Sequence, residues 1–191
     1  MDHSTRDVTL LSGFLFDVAG EYQGRQVFHE IDGLLQGIDP RRADVWVPMS
    51  TYNRLCEWVE QRVGSASIQR AGEAIGSRLH AQMVHDGVLI EQPTTPSTLL
   101  HELQRLAGVM IRDPLGRGWQ ILDERPFEAV ARRTQTFNCT LQEGVLRAFF
   151  ERSGVSNVLV EHVRCTRRGD PYCDYRASWL PPSSRPRVSS R

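Results

Sequence analysis

Three of the chain's four cysteines lie at positions 139, 165 and 173, with Glu161 and His162 just ahead of the second. Between the first two runs a helical pattern. Leu141, Val145, Ala148 and Phe149 repeat at the i, i+4, i+7, i+8 spacing of one apolar stripe. Residues 155–163 are β-branched and apolar, as in a buried strand. Residues 167–171 carry Gly169 and Pro171, which supply the backbone angles of a turn. Beyond the turn, Cys173, Tyr175, Ala177 and Trp179 alternate on one face of a second strand. The expected unit is helix, strand, turn, strand. Its hairpin brings Cys165 to Cys173, and the crossover from the helix returns Cys139 to the same end. Three soft ligands and one harder neighbour make up a tetrahedral zinc site. Free cysteines also pack as small buried apolar groups, so the cluster on its own reads either way.

Charge narrows the partners. Acidic and basic side chains balance at 23 each, which leaves no long-range field for nucleic acid or an anionic membrane. No secretory leader opens the chain, no apolar run reaches membrane-spanning length, and cysteine is scarce. A cytoplasmic, reducing setting is expected, where a cysteine cluster signals metal or redox chemistry before disulfides. A length of 191 residues suits one domain over residues 1–180. The tail, residues 181–191, is proline, serine and arginine and is expected to be disordered.

The first two thirds read as mainly helical. Residues 1–7 are polar and expected to fray, and residues 8–18 suit a strand or a short buried helix equally. A helix is expected over residues 26–35, where His29 reads as a solvated side chain. Residues 46–50 read as the start of the next helix, with Ser50 as its cap and Cys56 inside its apolar stripe as a packed thiol. The helix over residues 66–85 carries Ala71, Gly72, Ala74 and Gly76, small enough to admit a neighbouring backbone from within the chain or across a homodimer seam. Residues 86–96 form a loop or short strand, after which Ser97 caps a helix to about Met110. A short strand carries Trp119, and residues 127–133 are helix or strand. The fold class is α+β: N-terminal helices packed on a small, mainly antiparallel sheet, closed by the C-terminal helix–strand–strand unit.

The spacing of Cys139, Cys165 and Cys173 resembles the 4-vinyl reductase domain, a small-molecule-binding module distantly related to haem-nitric-oxide-binding folds. More narrowly, it is similar to the sensor domains of phenol- and xylene-responsive activators. The resemblance implies a structural zinc held by three cysteines and a fourth ligand three residues before the middle one. That position holds His162 here rather than the family's acid, and zinc accepts imidazole. Strict strand alternation would put Glu161, not His162, on the face of Cys165, and a bulge would decide between them. The resemblance also implies a ligand pocket walled by Trp119, with His85 or His101 as the hydrogen-bonding partner of an aromatic ligand.

No GxSxG, P-loop, HExxH or GxGxxG motif marks an enzyme. The Tyr-x-Ser-x-Arg clamp of the haem relatives is not found either. The expected function is a sensory or regulatory module that binds a small apolar or aromatic molecule. It carries structural zinc and acts through a protein partner or as a homodimer. The alternative is a thiol- or cofactor-dependent reductase, since His162 and Arg164, Arg167 and Arg168 beside the cysteines favour thiolate.

Overall fold

The computed structural model describes residues 5–89, 95–135 and 137–180. The expected disordered tail and much of the loop expected at 86–96 lie outside the described residues. Strand β1 (Thr9–Leu11) is followed by helices α1 (Gly13–Gly20) and α2 (Phe28–Leu34). Strand β2 (Trp46–Pro48) leads into α3 (Met49–Val63), α4 (Ser65–His85) and α5 (Pro96–Met110). Strands β3 (Ile111–Arg112), β4 (Trp119–Arg125) and β5 (Glu128–Arg133) precede α6 (Cys139–Glu151), β6 (Ser156–Arg164) and β7 (Cys173–Leu180). The architecture is α+β with two antiparallel sheets, a small one ordered β2-β1-β3 and a larger one ordered β4-β5-β7-β6.

Local chemistry sets most boundaries. Gly64, at φ 106°, ends α3 and lets α4 begin at the next residue, a conformation that costs a side-chain-bearing residue dearly. Thr95 rather than Ser97 caps α5, its Oγ1 accepting from the Thr98 amide at 3.2 Å with Pro96 in the first turn. Asn138 caps α6, its Oδ1 accepting from the Leu141 amide at 2.9 Å. Of the helix start expected over residues 46–50, residues 46–48 form a strand because β1 offers them an antiparallel partner, and α3 begins at Met49 with Ser50 inside it rather than capping it.

The core has two parts that meet at α6. Leu141 and Val145 join Leu10, Leu15, Tyr52, Val59 and Ile68 on one side. Leu146, Phe149 and Phe150 pack with Leu99, Trp119, Tyr175 and Trp179 on the other. Each such side chain contributes about 1.5–3 kcal/mol through removal from water. The inward row of β7 is the expected one: Cys173, Tyr175, Ala177 and Trp179 are all buried. Residues 155–163 depart from expectation. They form an edge strand with one face in water, and Leu159 is 54 % exposed. Helices cover only the inner face of this sheet, so its outer face stays solvated.

Gly72 and Gly76 of α4 face α6, so these two small residues serve packing within the chain. A Cβ at Gly72 would strike the Leu141 carbonyl oxygen, and one at Gly76 the Val145 carbonyl oxygen. From the other side, a Cβ at Gly144 would strike the Gln69 carbonyl oxygen. An ion pair between Glu73 and Arg147 spans the same crossing. Replacing Gly76 or Gly144 by Ala should therefore destabilise the protein by about 1–3 kcal/mol, because backbone cannot yield as a side chain can. In Gly108→Ala the new methyl meets open space within α5. There, helix propensity alone should raise stability by about 0.5–1 kcal/mol. Urea melts of the three variants check both signs.

Candidate metal centre and apolar cavity

Cys139 opens α6, Cys165 follows β6 and Cys173 begins β7, and the fold gathers all three at one end of the larger sheet. The Cys139 Sγ lies 3.8 Å from that of Cys165 and 3.7 Å from that of Cys173. These are free thiols, all three buried. With the nearer ring nitrogen of His162 they form a set whose ligand atoms lie within 4.8 Å of one another. Three thiolates about 2.3 Å from one tetrahedral ion stand about 3.8 Å apart, so the sulfur spacing fits zinc.

The contest between Glu161 and His162 is decided by a bulge. On β6, His162 pairs with Tyr175, but the next pairing is Arg164 with Asp174, so Val163 is an extra residue. The alternation shifts by one, and His162 turns inward with the cysteines. Glu161 instead points out, its carboxylate 3.9 Å from Arg176. The His162 ring stacks on Tyr175 with centroids 4.5 Å apart and planes 6° from parallel. Its Nδ1 lies 3.3 Å from Oε1 of Glu143 on α6, and its Nε2 is buried without a hydrogen-bond partner. A ring held by a carboxylate through one nitrogen, with the other buried and unpartnered, and grouped with three thiols, is a set that can hold a metal ion.

The same groups reshape their own protonation. Cys173 is pushed strongly toward thiolate, foremost by a hydrogen bond from the Cys139 thiol and further by His162 and Thr166, against the cost of burial. Cys139 moves the other way, held protonated by that bond and by burial. For His162, burial favours the neutral ring, yet Cys173 and Glu143 outweigh it and lift its pKa to about 9. A bound metal would take the place of the protons.

The fourth cysteine, Cys56, is apart from this cluster. It is fully buried in α3, and burial pushes its thiol up to about 12. A polar knot ties α3 to the end that carries the Cys/His cluster. The Glu60 carboxylate accepts from Thr140 Oγ1 at 2.6 Å, Asn138 Nδ2 at 2.7 Å and Arg167 Nη1 at 2.9 Å.

A cavity of ≈ 340 Å³ lies beside the cluster, between α1, α4, α5, α6 and the edge of the sheet. Its wall is mostly apolar: Phe14 from α1, Ile75 and Leu79 from α4, Leu103, Leu106 and Met110 from α5, Leu141 and Val145 from α6. Trp119 forms part of the wall and tilts against Tyr175, with centroids 5.7 Å apart. Asp17, Arg78 and Gln82 are exposed and mark its mouth, whereas Tyr52, Arg133 and Gln142 are buried at its inner end.

Neither His85 nor His101 lines this cavity. His85 is exposed at the end of α4, one turn past Gln82, the last cavity-lining residue of that helix. His101 lies off the buried stripe of α5 and points to solvent, its Nε2 3.3 Å from Glu124 Oε2. The polar groups that do reach the cavity were not singled out from the sequence. Arg133 had a usable signal: alternation places it on the face of Ala129 and Ala131.

The sequence matches no protein-family model and no curated protein. Solved structures share the fold. An H-NOX protein from Shewanella oneidensis in the Fe(II) ligation state superposes with a TM-score of 0.63 at 14 % identity, covering 90 % of this chain and 97 % of that one. An Fe(II) unliganded H-NOX protein from K. algicida gives 0.62 at 8 % identity, over 89 % and 96 % of the two chains. The phenol-responsive sensory domain of the transcription activator PoxR, solved with phenol, gives 0.50 at 11 % identity, over 81 % and 90 %. Identities this low establish a shared fold.

A haem does not fit the residues present. Among the described residues, no histidine or cysteine lines the cavity. Of the other possible axial donors, Tyr52 is held neutral by burial, and Met110 lacks the histidine partner with which methionine serves.

The Glu60 knot yields a pH-dependent prediction. Burial alone would raise its carboxyl pKa, but Thr140, Asn138 and Arg167 outweigh it, so the folded value lies below the ordinary one. The stabilisation is therefore present above the unfolded pKa, about 4.3, and is lost as pH falls through the lower folded value. Glu60→Ala should cost about 2–3 kcal/mol at pH 7, with the gap from wild type closing toward pH 3. Denaturant melts across pH check it.

Proposed function

We propose that the chain is a 4-vinyl-reductase-like sensory module over residues 1–180 that binds a small apolar or aromatic molecule in the cavity. Cys139, His162, Cys165 and Cys173 hold a structural zinc. The observation that carries this reading is the shared construction of the two sites. Trp119 pairs with Arg133 across β4 and β5, and Arg133 pairs with Cys173 across β5 and β7. One row of residues thus runs from the cavity wall to the metal ligands. Four protein donors would complete a tetrahedral site with no open position, which suits a metal that braces rather than reacts. The fold shared with the phenol-bound PoxR domain supports a small-molecule occupant. A change on binding would pass to a protein partner or a second copy of the chain.

A reductase-type thiol enzyme is the second reading, and the thiolate character of Cys173 favours it. Alkylation separates the two. A thiol enzyme keeps its fold and loses activity, whereas a structural site resists the reagent until its metal is stripped.

Protein purified without chelator should contain about one zinc per chain, the stoichiometry of a single closed site. Cys165→Ala should lose the metal together with about 10 °C or more of Tm, each kcal/mol being worth about 2–4 °C in a chain of this size. A metal-free wild type with an unchanged melting curve in the mutant would sink the zinc site. For the cavity, small aromatics should raise Tm in wild type, and Ala107→Phe, which fills the space, should abolish the shift.

A further inference from the structure

Arg133 is 3 % exposed, the only buried Arg, Lys or Glu side chain among the described residues. Every other arginine in a described ion pair faces a carboxylate, as Arg132 faces Asp174 at 2.8 Å and Arg117 faces Asp113 at 2.8 Å. Arg133 has no carboxylate within 4 Å among the described residues. Its Nη1 donates to the neutral Gln142 Oε1 at 2.5 Å, and its Nε is buried with no partner. The faces of Phe137 and Trp119, with ring centroids 3.4 and 5.1 Å from the guanidinium carbon, return part of the lost hydration. Tyr175, Tyr52, Cys139 and Cys173 act on it only at a distance, without a hydrogen bond. A buried guanidinium is normally paired and fully hydrogen-bonded. This one lines the inner end of an apolar cavity instead.

We propose that the cavity takes a small monocarboxylic acid, its carboxylate received by Arg133 and its aromatic ring or short acyl chain by the apolar wall. The proposal rests on the reading of the cavity as a ligand site and specifies which ligands it prefers. The charged edge of the guanidinium and the amide of Gln142 meet the carboxylate, a geometry for which arginine is the fitting residue. Arg78 at the mouth is not an equivalent choice, since Glu21 and Asp17 already engage it.

The test is calorimetric titration of the full-length protein at pH 7 with matched pairs: phenylacetate against phenylacetamide, and octanoate against octan-1-ol. Each acid should bind at least about 10-fold more tightly than its neutral partner, the range of a charge-assisted hydrogen bond. In Arg133→Met that preference should vanish while the neutral ligands bind as well as before or better. Arg133→Lys, which keeps the charge but not the fork, should fall between, and it serves where the methionine variant folds poorly. Neutral partners binding wild type as tightly as the acids would overturn the carboxylate proposal and leave the apolar site standing. So would an acid preference that survives in Arg133→Met. If neither acids nor neutral partners bind, the ligand-site reading falls together with the proposal.

Discussion

The closeness of α4 to α6 is the constraint on which the other features depend. Gly72 and Gly76 on one helix and Gly144 on the other place no Cβ where carbonyl oxygens of the facing backbone rest. Packing at this distance fixes α6 in rotation as well as position. That rotation delivers Leu141, Gln142 and Val145 to the cavity, Cys139 to the thiol cluster and Glu143 to the imidazole of His162. A helix held by ordinary leucine packing would stand farther off and could turn, and the three placements would no longer be tied to one another.

From α6 the order continues through the sheet. Tyr175 stands between the two sites, with His162 stacked on one side and Trp119 tilted on the other. Its hydroxyl stays neutral, since burial raises its pKa well above the ordinary value. Around this ring the Cys/His cluster and the aromatic wall of the cavity are neighbours of one side chain. Anything that sets the hairpin between β6 and β7 also sets the position of Trp119.

Local periodicity was legible in the chain, and long-range pairing was not. The stripe through Leu141, Val145 and Phe149 and the alternation of Cys173, Tyr175, Ala177 and Trp179 are properties of short segments, and both elements form where those patterns lie. The bulge at Val163 depends on how β6 registers against β7 around Gly169, which no single strand reveals. Residues 46–48 looked like a helix start because Pro48 and Ser50 suit one. Their pairing with β1 is tertiary. His85 and His101 were placed by their distance along the chain from Trp119, a measure blind to helix phase, and phase turns both to solvent. Arg133 lay on a legible inward face, but an arginine is seldom buried, and that general rule hid it.

The glycine crossing also makes the two walls of the cavity unequal. The wall built by α4 and α6 is clamped at the level of backbone, so Ile75, Leu79, Leu141 and Val145 form a fixed jaw. The opposite jaw is α5, which meets the cavity through Leu103, Leu106, Ala107 and Met110 and reaches β4 through Gln104 on the Trp119 carbonyl at 2.8 Å. Its contacts are between flexible side chains that can repack without moving a neighbouring backbone. Of the two walls, α5 is therefore the one that can shift without disturbing a backbone-to-backbone contact. The width of the cavity is set on that side by a helix whose other face carries His101 and Glu102.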